Sequence, residues 1–167
     1  MSPQPGDFEV VPMGGQGGKL IEIAQILSNT GRQNYEHARL YLGDKKCVEA
    51  RPGGADVVDW NADDGGLWST GIIFLTDAQR KVIVDAGWAC KGTPYSVMDY
   101  FALAAYKFKI GLLVPGLKKY VATSKHMICS QLVDHCYQVA GVKLFDDDRW
   151  EGYVSPGDLA DLLHKEA

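Results

Sequence analysis

The sequence predicts an α+β domain, and two observations carry that expectation. Residues 37 to 43, HARLYLG, alternate Ala38, Leu40 and Leu42 with His37, Arg39 and Tyr41, and CVEA at residues 47 to 50 follows across a Gly43-Asp44-Lys45-Lys46 turn. That is the pattern of an antiparallel hairpin. Further along, MICSQLVDHCYQVAG places Ile128, Leu132, Val133, Cys136, Val139 and Ala140 at helical spacing and stops at Gly141, so one helix face is core. With 167 residues, 46% hydrophobic content and no long polar tract, the chain is read as one domain over residues 1–167, large enough to bury a core.

The remaining elements follow in order. Residues 7 to 11 read as a strand. The Gly14 to Gly18 turn leads to a helix over about residues 19 to 27, where Leu20, Ile23, Ala24 and Leu27 fall at helical spacing. This turn is not a phosphate loop, because Met13 stands where the first glycine belongs and Leu20 where the hydroxyl residue belongs. After the hairpin, Arg51-Pro52-Gly53-Gly54 turns the chain into a partner or edge strand at residues 56 to 59. Residues 61 to 69, NADDGGLWS, read as a polar loop with Asp63 and Asp64 solvated, and GIIFL at residues 71 to 75 as a buried strand. Thr76, with Gln79 three residues on, forms a capping box for a helix running through Val84 and Ala89. A hydrophobic helical stretch is expected over residues 100 to 108. In the tail VSPGDLADLL, Ser155 caps a helix that begins at Pro156.

Charge and composition exclude several functions. The net charge is −4, and the densest basic stretch, residues 107 to 119, is diluted by apolar residues. A nucleic-acid partner is therefore not expected, since neutralising phosphates needs clustered Lys and Arg. The opening MSPQPGDFEV lacks a basic region followed by an apolar one, and nowhere do eighteen uninterrupted apolar residues occur. The expectation is a soluble protein with no transmembrane segment and no signal peptide of its own, cytoplasmic, carried in a virion or released by lysis. Its four cysteines (47, 90, 129 and 136) are expected as reduced thiols. No CxxC pair occurs, and His135 and Cys136 point about 100° apart on a helix, so neither a metal nor another cofactor is expected.

Cys129 is the most informative residue. It lies in the first turn of its helix, where the positive end of the helix dipole favours thiolate over thiol. Cys136 belongs to the apolar face and reads as a small hydrophobe. His135 and His164 read as surface residues. His126, three residues before Cys129, is close enough in sequence to be a candidate base but is expected as a neighbouring loop side chain.

The order of short motifs, Gly6-Asp7, the histidine strand, VEA, LT-x-x-QR, GTPYS, CSQLV and SPGDL, resembles the circularly permuted NlpC-like branch of the papain superfamily of amidases and peptidases. It covers nearly the whole chain, and the histidine strand precedes the cysteine helix as in that branch. The resemblance implies a permuted papain-like fold in which an antiparallel half-barrel sheet packs on the N-terminal end of the cysteine helix. It implies Cys129 as nucleophile, His37 as general base and Glu49 as the residue that orients the histidine. Tyr95, in GTPYS, and Ser130, beside the nucleophile, take substrate-positioning roles.

The implied chemistry suits these residue types. A free cysteine titrates at about 8.5, so a neighbouring imidazole is needed to make it a nucleophile at neutral pH. The leading expectation is a cysteine hydrolase with a Cys-His-Glu triad acting on a peptide or amide substrate, with peptidoglycan stem peptides first. The alternatives are a thiol acyltransferase or esterase acting on lipid acyl groups, for which YFALAAYKFKIGLLVPGL at residues 100 to 117 offers apolar surface, and a catalytically silent binding module, for example in a phage particle. Oligomeric state is not legible in the sequence.

Overall fold

A computed structural model describes residues 2–12, 35–51, 53–60, 65–94, 128–147, 149 and 154–165. Five strands, β1 (Phe8–Val11), β2 (His37–Gly43), β3 (Lys46–Arg51), β4 (Gly54–Asp59) and β5 (Leu67–Trp68), form one sheet in the order β4-β3-β2-β1-β5. Every pairing is antiparallel, and the sheet does not close on itself. Among the described residues three helices accompany it: α1 (Asp77–Ala89), α2 (Cys129–Val139) and α3 (Pro156–Lys165). The fold is α+β, with the sheet packed against the helix that carries Cys129.

The hairpin between β2 and β3 turns on Asp44 and Lys45, both at positive φ (49° and 56°). Two left-handed central residues give the connection whose twist matches the strands it joins. Register then follows from the turn: Tyr41 faces Cys47 and Leu40 faces Val48. On β1, Phe8 faces Leu40, Glu9 faces Arg39 and Val11 faces His37.

This register sorts the side chains onto two faces. Phe8, Val10, Ala38, Leu40, Leu42, Val48 and Ala50 point into the main core with Ile83 of α1, Leu132, Val133, Cys136 and Tyr137 of α2, and Leu159 and Leu163 of α3. Gly87 lets α1 lie close on β2, because a Cβ there would come within 2.8 Å of Leu40 and Leu42. The other face carries Glu9, His37, Arg39, Tyr41, Cys47 and Glu49, all buried as well. Tyr41, Trp60 and Trp68 pack edge to face over it, with ring centroids 5.5 to 6.0 Å apart.

The buried Asp7 fixes the entry to β1. Its carboxylate accepts from Arg80 Nη1 at 2.8 Å, Thr70 Oγ1 at 2.7 Å and the Gln4 amide at 2.9 Å. Nearby, Tyr137 donates its hydroxyl to the Gly6 carbonyl at 2.8 Å, tying α2 to the same turn. The Gly6-Asp7 motif is thus a structural pin between the first turn, α1 and α2.

Helix starts follow the expected capping. Thr76 and Gln79 form a reciprocal box, and Ser155 does the same with Asp158 before Pro156. Two expectations fail. Residues 71 to 75 are no strand: the amides of Ile72 and Ile73 both donate to the Ser69 carbonyl at 3.0 Å, and Phe74 is 90% exposed. The run is five residues long and ends against the Thr76 cap, so the chain turns into α1 and only half-buries Ile72, Ile73 and Leu75 against the core. Strand pairing goes instead to Leu67 and Trp68, expected within a polar loop, which take the open edge of β1 opposite Val10 and Glu9. Gly66 permits this approach, since a Cβ there would run into Glu9 and Val11. The helices expected at residues 19–27 and 100–108 lie outside the described residues, as does the Asp63-Asp64 pair.

Candidate active site

The site is built where the start of α2 meets the start of β2. Ile128, with extended backbone, is the N-cap of α2, and its amide donates to Gln131 Oε1 at 3.0 Å. Cys129 is the first helical residue, and no acidic side chain occupies that first turn, so the positive helix end is left to the sulfur. The Ser130 hydroxyl donates to the Val154 carbonyl at 2.6 Å and anchors the helix start to the segment before α3. That side chain is buried beside Cys129.

His37 opens β2. Its Nε2 donates to Glu49 Oε2 on β3 at 2.7 Å. That leaves Nδ1 for the Cys129 sulfur, to which the His37 side chain is also hydrogen-bonded. The sulfur further accepts the backbone N–H groups of Ala38 and Ser130. The other oxygen of Glu49 is ion-paired with the Arg51 guanidinium but accepts no hydrogen bond. Cys129, His37 and Glu49 are 1%, 5% and 1% exposed.

Burial and pairing act against each other here. Burial opposes charge on every member. For His37 it pulls downward, but the Cys129 sulfur and the Glu49 carboxylate outweigh it and raise the imidazole to about 9. The Cys129 thiol is resisted by burial yet lies below its ordinary value, because His37 and the two amides favour the thiolate. Glu49, also opposed by burial, is lowered by its hydrogen bond to His37 and by the charges of His37, Arg51 and Arg39. All three shifts point toward the charged forms: thiolate, imidazolium and carboxylate.

The structure brings together Cys129, His37 and Glu49 and sets Ser130 beside them. Tyr95 and the rival base His126 lie outside the described residues. His135 and His164 are exposed, and Cys136 is buried in the core, where its thiol is raised by a hydrogen bond with Cys90 as well as by burial. All four cysteines are free thiols. Among the described residues no group of three His, Cys, Asp or Glu is placed to hold a metal ion, and no helix is long and apolar enough to cross a membrane. No family model matches the chain, and no curated protein matches its sequence.

Sequence reasoning missed Arg51, Arg39 and Glu9. Arg39 Nε donates to Glu9 Oε2 at 2.7 Å, and both residues are buried beside the His37–Glu49 pair. The signal was the alternation in HARLYLG, which puts Arg39 on the same face as His37. Two surface cavities, of about 380 Å³ along the end of α2 by Gln138 and Phe145 and about 440 Å³ beside Phe74 and Arg80, are lined by none of the three residues.

Proposed function

We propose that the protein is a cysteine hydrolase of amide bonds in which Cys129, His37 and Glu49 act as nucleophile, general base and orienting carboxylate. One observation carries this reading: His37 is hydrogen-bonded at once to Glu49 and to a cysteine sulfur at a helix N-terminus. A histidine placed only for stability needs no thiol partner held below its ordinary pKa. The motif order that resembles the permuted NlpC-like amidases supports the same assignment, and the open antiparallel sheet packed on the cysteine helix is compatible with it.

The mechanism follows from the charges. The Cys129 thiolate attacks the substrate carbonyl carbon, and a C–S bond forms as the carbonyl π pair moves onto oxygen. The Cys129 backbone N–H, at the helix start, is placed to donate to that oxyanion, and one such donor lowers the barrier by roughly 3 kcal/mol in comparable sites. The oxyanion collapses, the C–N bond breaks, and the imidazolium of His37 protonates the departing amine. Water, deprotonated by the now neutral His37, attacks the thioester; the carboxylic acid leaves, and the thiolate–imidazolium pair is restored. Glu49 holds the ring so that Nδ1 faces sulfur throughout.

Peptidoglycan stem peptides are the first substrate class because the motif resemblance points there. The test compares wild type with Cys129→Ala on muropeptides and on acyl esters. Loss of hydrolysis below detection in the variant, with unchanged thermal unfolding, is the expected result. Hydrolysis that survives in Cys129→Ala sinks the reading. Turnover of acyl esters but not peptides moves the assignment to an esterase or acyltransferase using the same residues.

A further inference from the structure

Across β1, β2 and β3 the buried charges beside the site alternate in sign. Glu9 faces Arg39 across β1 and β2, and the pair is joined at 2.7 Å. One step beyond the Leu40–Val48 pair, Arg39 lies across from Glu49, which faces Asp56 on β4. Glu49 contacts His37 and Arg51, and His37 contacts Cys129. Glu9, Arg39, Glu49 and His37 are each at most 5% exposed, so they sit where water screens little and a charge must be matched by its neighbours.

We infer that Arg39, seated by Glu9, is a positioning residue: its guanidinium is the inner cation of this buried row and holds Glu49, and through it His37, in the ionised arrangement that Cys129 requires. The inference rests on the hydrolase reading for its catalytic meaning, but the geometry stands without it. Arg51 is the outer cation, and its side chain is 58% exposed and open to screening by water. Of these two cations Arg39 is the one shielded from solvent, and its charge depresses Glu49 after those of His37 and the directly contacting Arg51. Without it, Glu9 and Glu49 become two buried like charges on the strands either side of β2, and each opposes ionisation of the other.

Among the described residues, the other charged or titratable groups on this face do not replace it. Tyr41 and Cys47 share the face, Glu36 precedes His37, and Asp56 is exposed and paired with Lys91 at 3.7 Å. None of these four is a cation.

The experiment follows the ultraviolet absorbance of the Cys129 thiolate against pH, with Cys129→Ser as the blank, and needs no substrate. Arg39→Met is expected to move the midpoint of thiolate formation upward by about one pH unit. Arg39→Lys, which keeps the charge, is expected to stay with wild type. Glu9→Gln removes a negative charge and is expected to move the midpoint down. Opposite shifts are the signature, since loosened packing would move both variants the same way. An unmoved midpoint in Arg39→Met, or a rise in both variants, overturns the inference. Should Arg39→Met fail to fold, Glu9→Gln decides: a midpoint that stays or rises overturns it. A wild type with a low midpoint that hydrolyses nothing defeats the hydrolase and leaves Arg39 in its role; an active enzyme whose midpoint ignores Arg39 defeats this inference alone.

Discussion

The two faces of the sheet are equally buried and differ in what fills them. On one, Phe8, Val10, Leu40 and Val48 meet three helices through apolar contact alone. On the other, Glu9, Arg39, Glu49 and His37 are compensated one by one. Apolar burial is non-directional and tolerates small shifts, whereas a buried charge is costly unless its partner sits at hydrogen-bonding distance. The first face therefore holds the fold together, and the second fixes geometry at the point where Cys129 arrives. Perturbations of the two should separate cleanly into loss of stability and loss of thiolate chemistry.

The largest expected effect comes from neutralising the centre of the charged face. Glu49→Gln keeps the size and removes the charge that orients His37 and stabilises its protonated form. Hydrolysis should fall by about a hundredfold to ten-thousandfold. The alkaline limb of activity should also move. With the imidazole raised to about 9, activity in wild type should decline as pH rises through that value. In the variant the limb should shift down toward the ordinary histidine value of 6.5. A pH–rate profile whose alkaline limb stays near 9 would break the contrast between the faces.

Stability carries the same signs. A raised His37 contributes stability that is full below 6.5 and is lost as pH rises through about 9. The lowered Cys129 works oppositely: its contribution is complete above its ordinary value of 9.0 and is lost as pH falls through its depressed one. The two slopes oppose each other, so the pair is read through thiolate absorbance rather than through unfolding curves.

The opposite perturbation is Leu40→Ala, on the apolar face. Leu40 is fully buried between β1, β3 and Gly87 of α1. Truncation should cost about 2–5 kcal/mol of stability, measured by denaturant unfolding. The midpoint of Cys129 thiolate formation should not move, although Leu40 is the immediate neighbour of Arg39. A shifted midpoint would mean that the two faces are mechanically coupled through β2.

The asymmetry between the faces also explains what the sequence made legible. Alternation in HARLYLG and CVEA identified the hairpin, and the periodicity after Met127 identified the cysteine helix, because both patterns record which side chains meet the apolar core. The same alternation assigns His37, Arg39 and Glu49 to a polar side, and polar ordinarily means solvated. Only the packed structure shows that this side is buried and that each charge has a partner. His37 and Glu49 were recoverable through motif order, whereas Arg39 and Glu9 belong to no motif and depend on strand register. The error at residues 71 to 75 has the same origin: an apolar run reports burial only when the chain continues past it, and here the Thr76 cap intervenes.

Arg51 offers the finest test of the comparison, because it touches the buried row from outside. Its guanidinium contacts Glu49, yet its side chain is 58% exposed, so water already screens much of its charge. Arg51→Met leaves Glu49 bonded to His37 and near Arg39. The thiolate midpoint should therefore rise by only a few tenths of a pH unit, less than for Arg39→Met, and the shift should shrink further as salt is added. Burial, rather than contact with Glu49, would then set how strongly a cation acts on the site. A shift in Arg51→Met as large as that in Arg39→Met, and unaffected by salt, would reverse the ranking and place control of Glu49 at the solvent edge of β3.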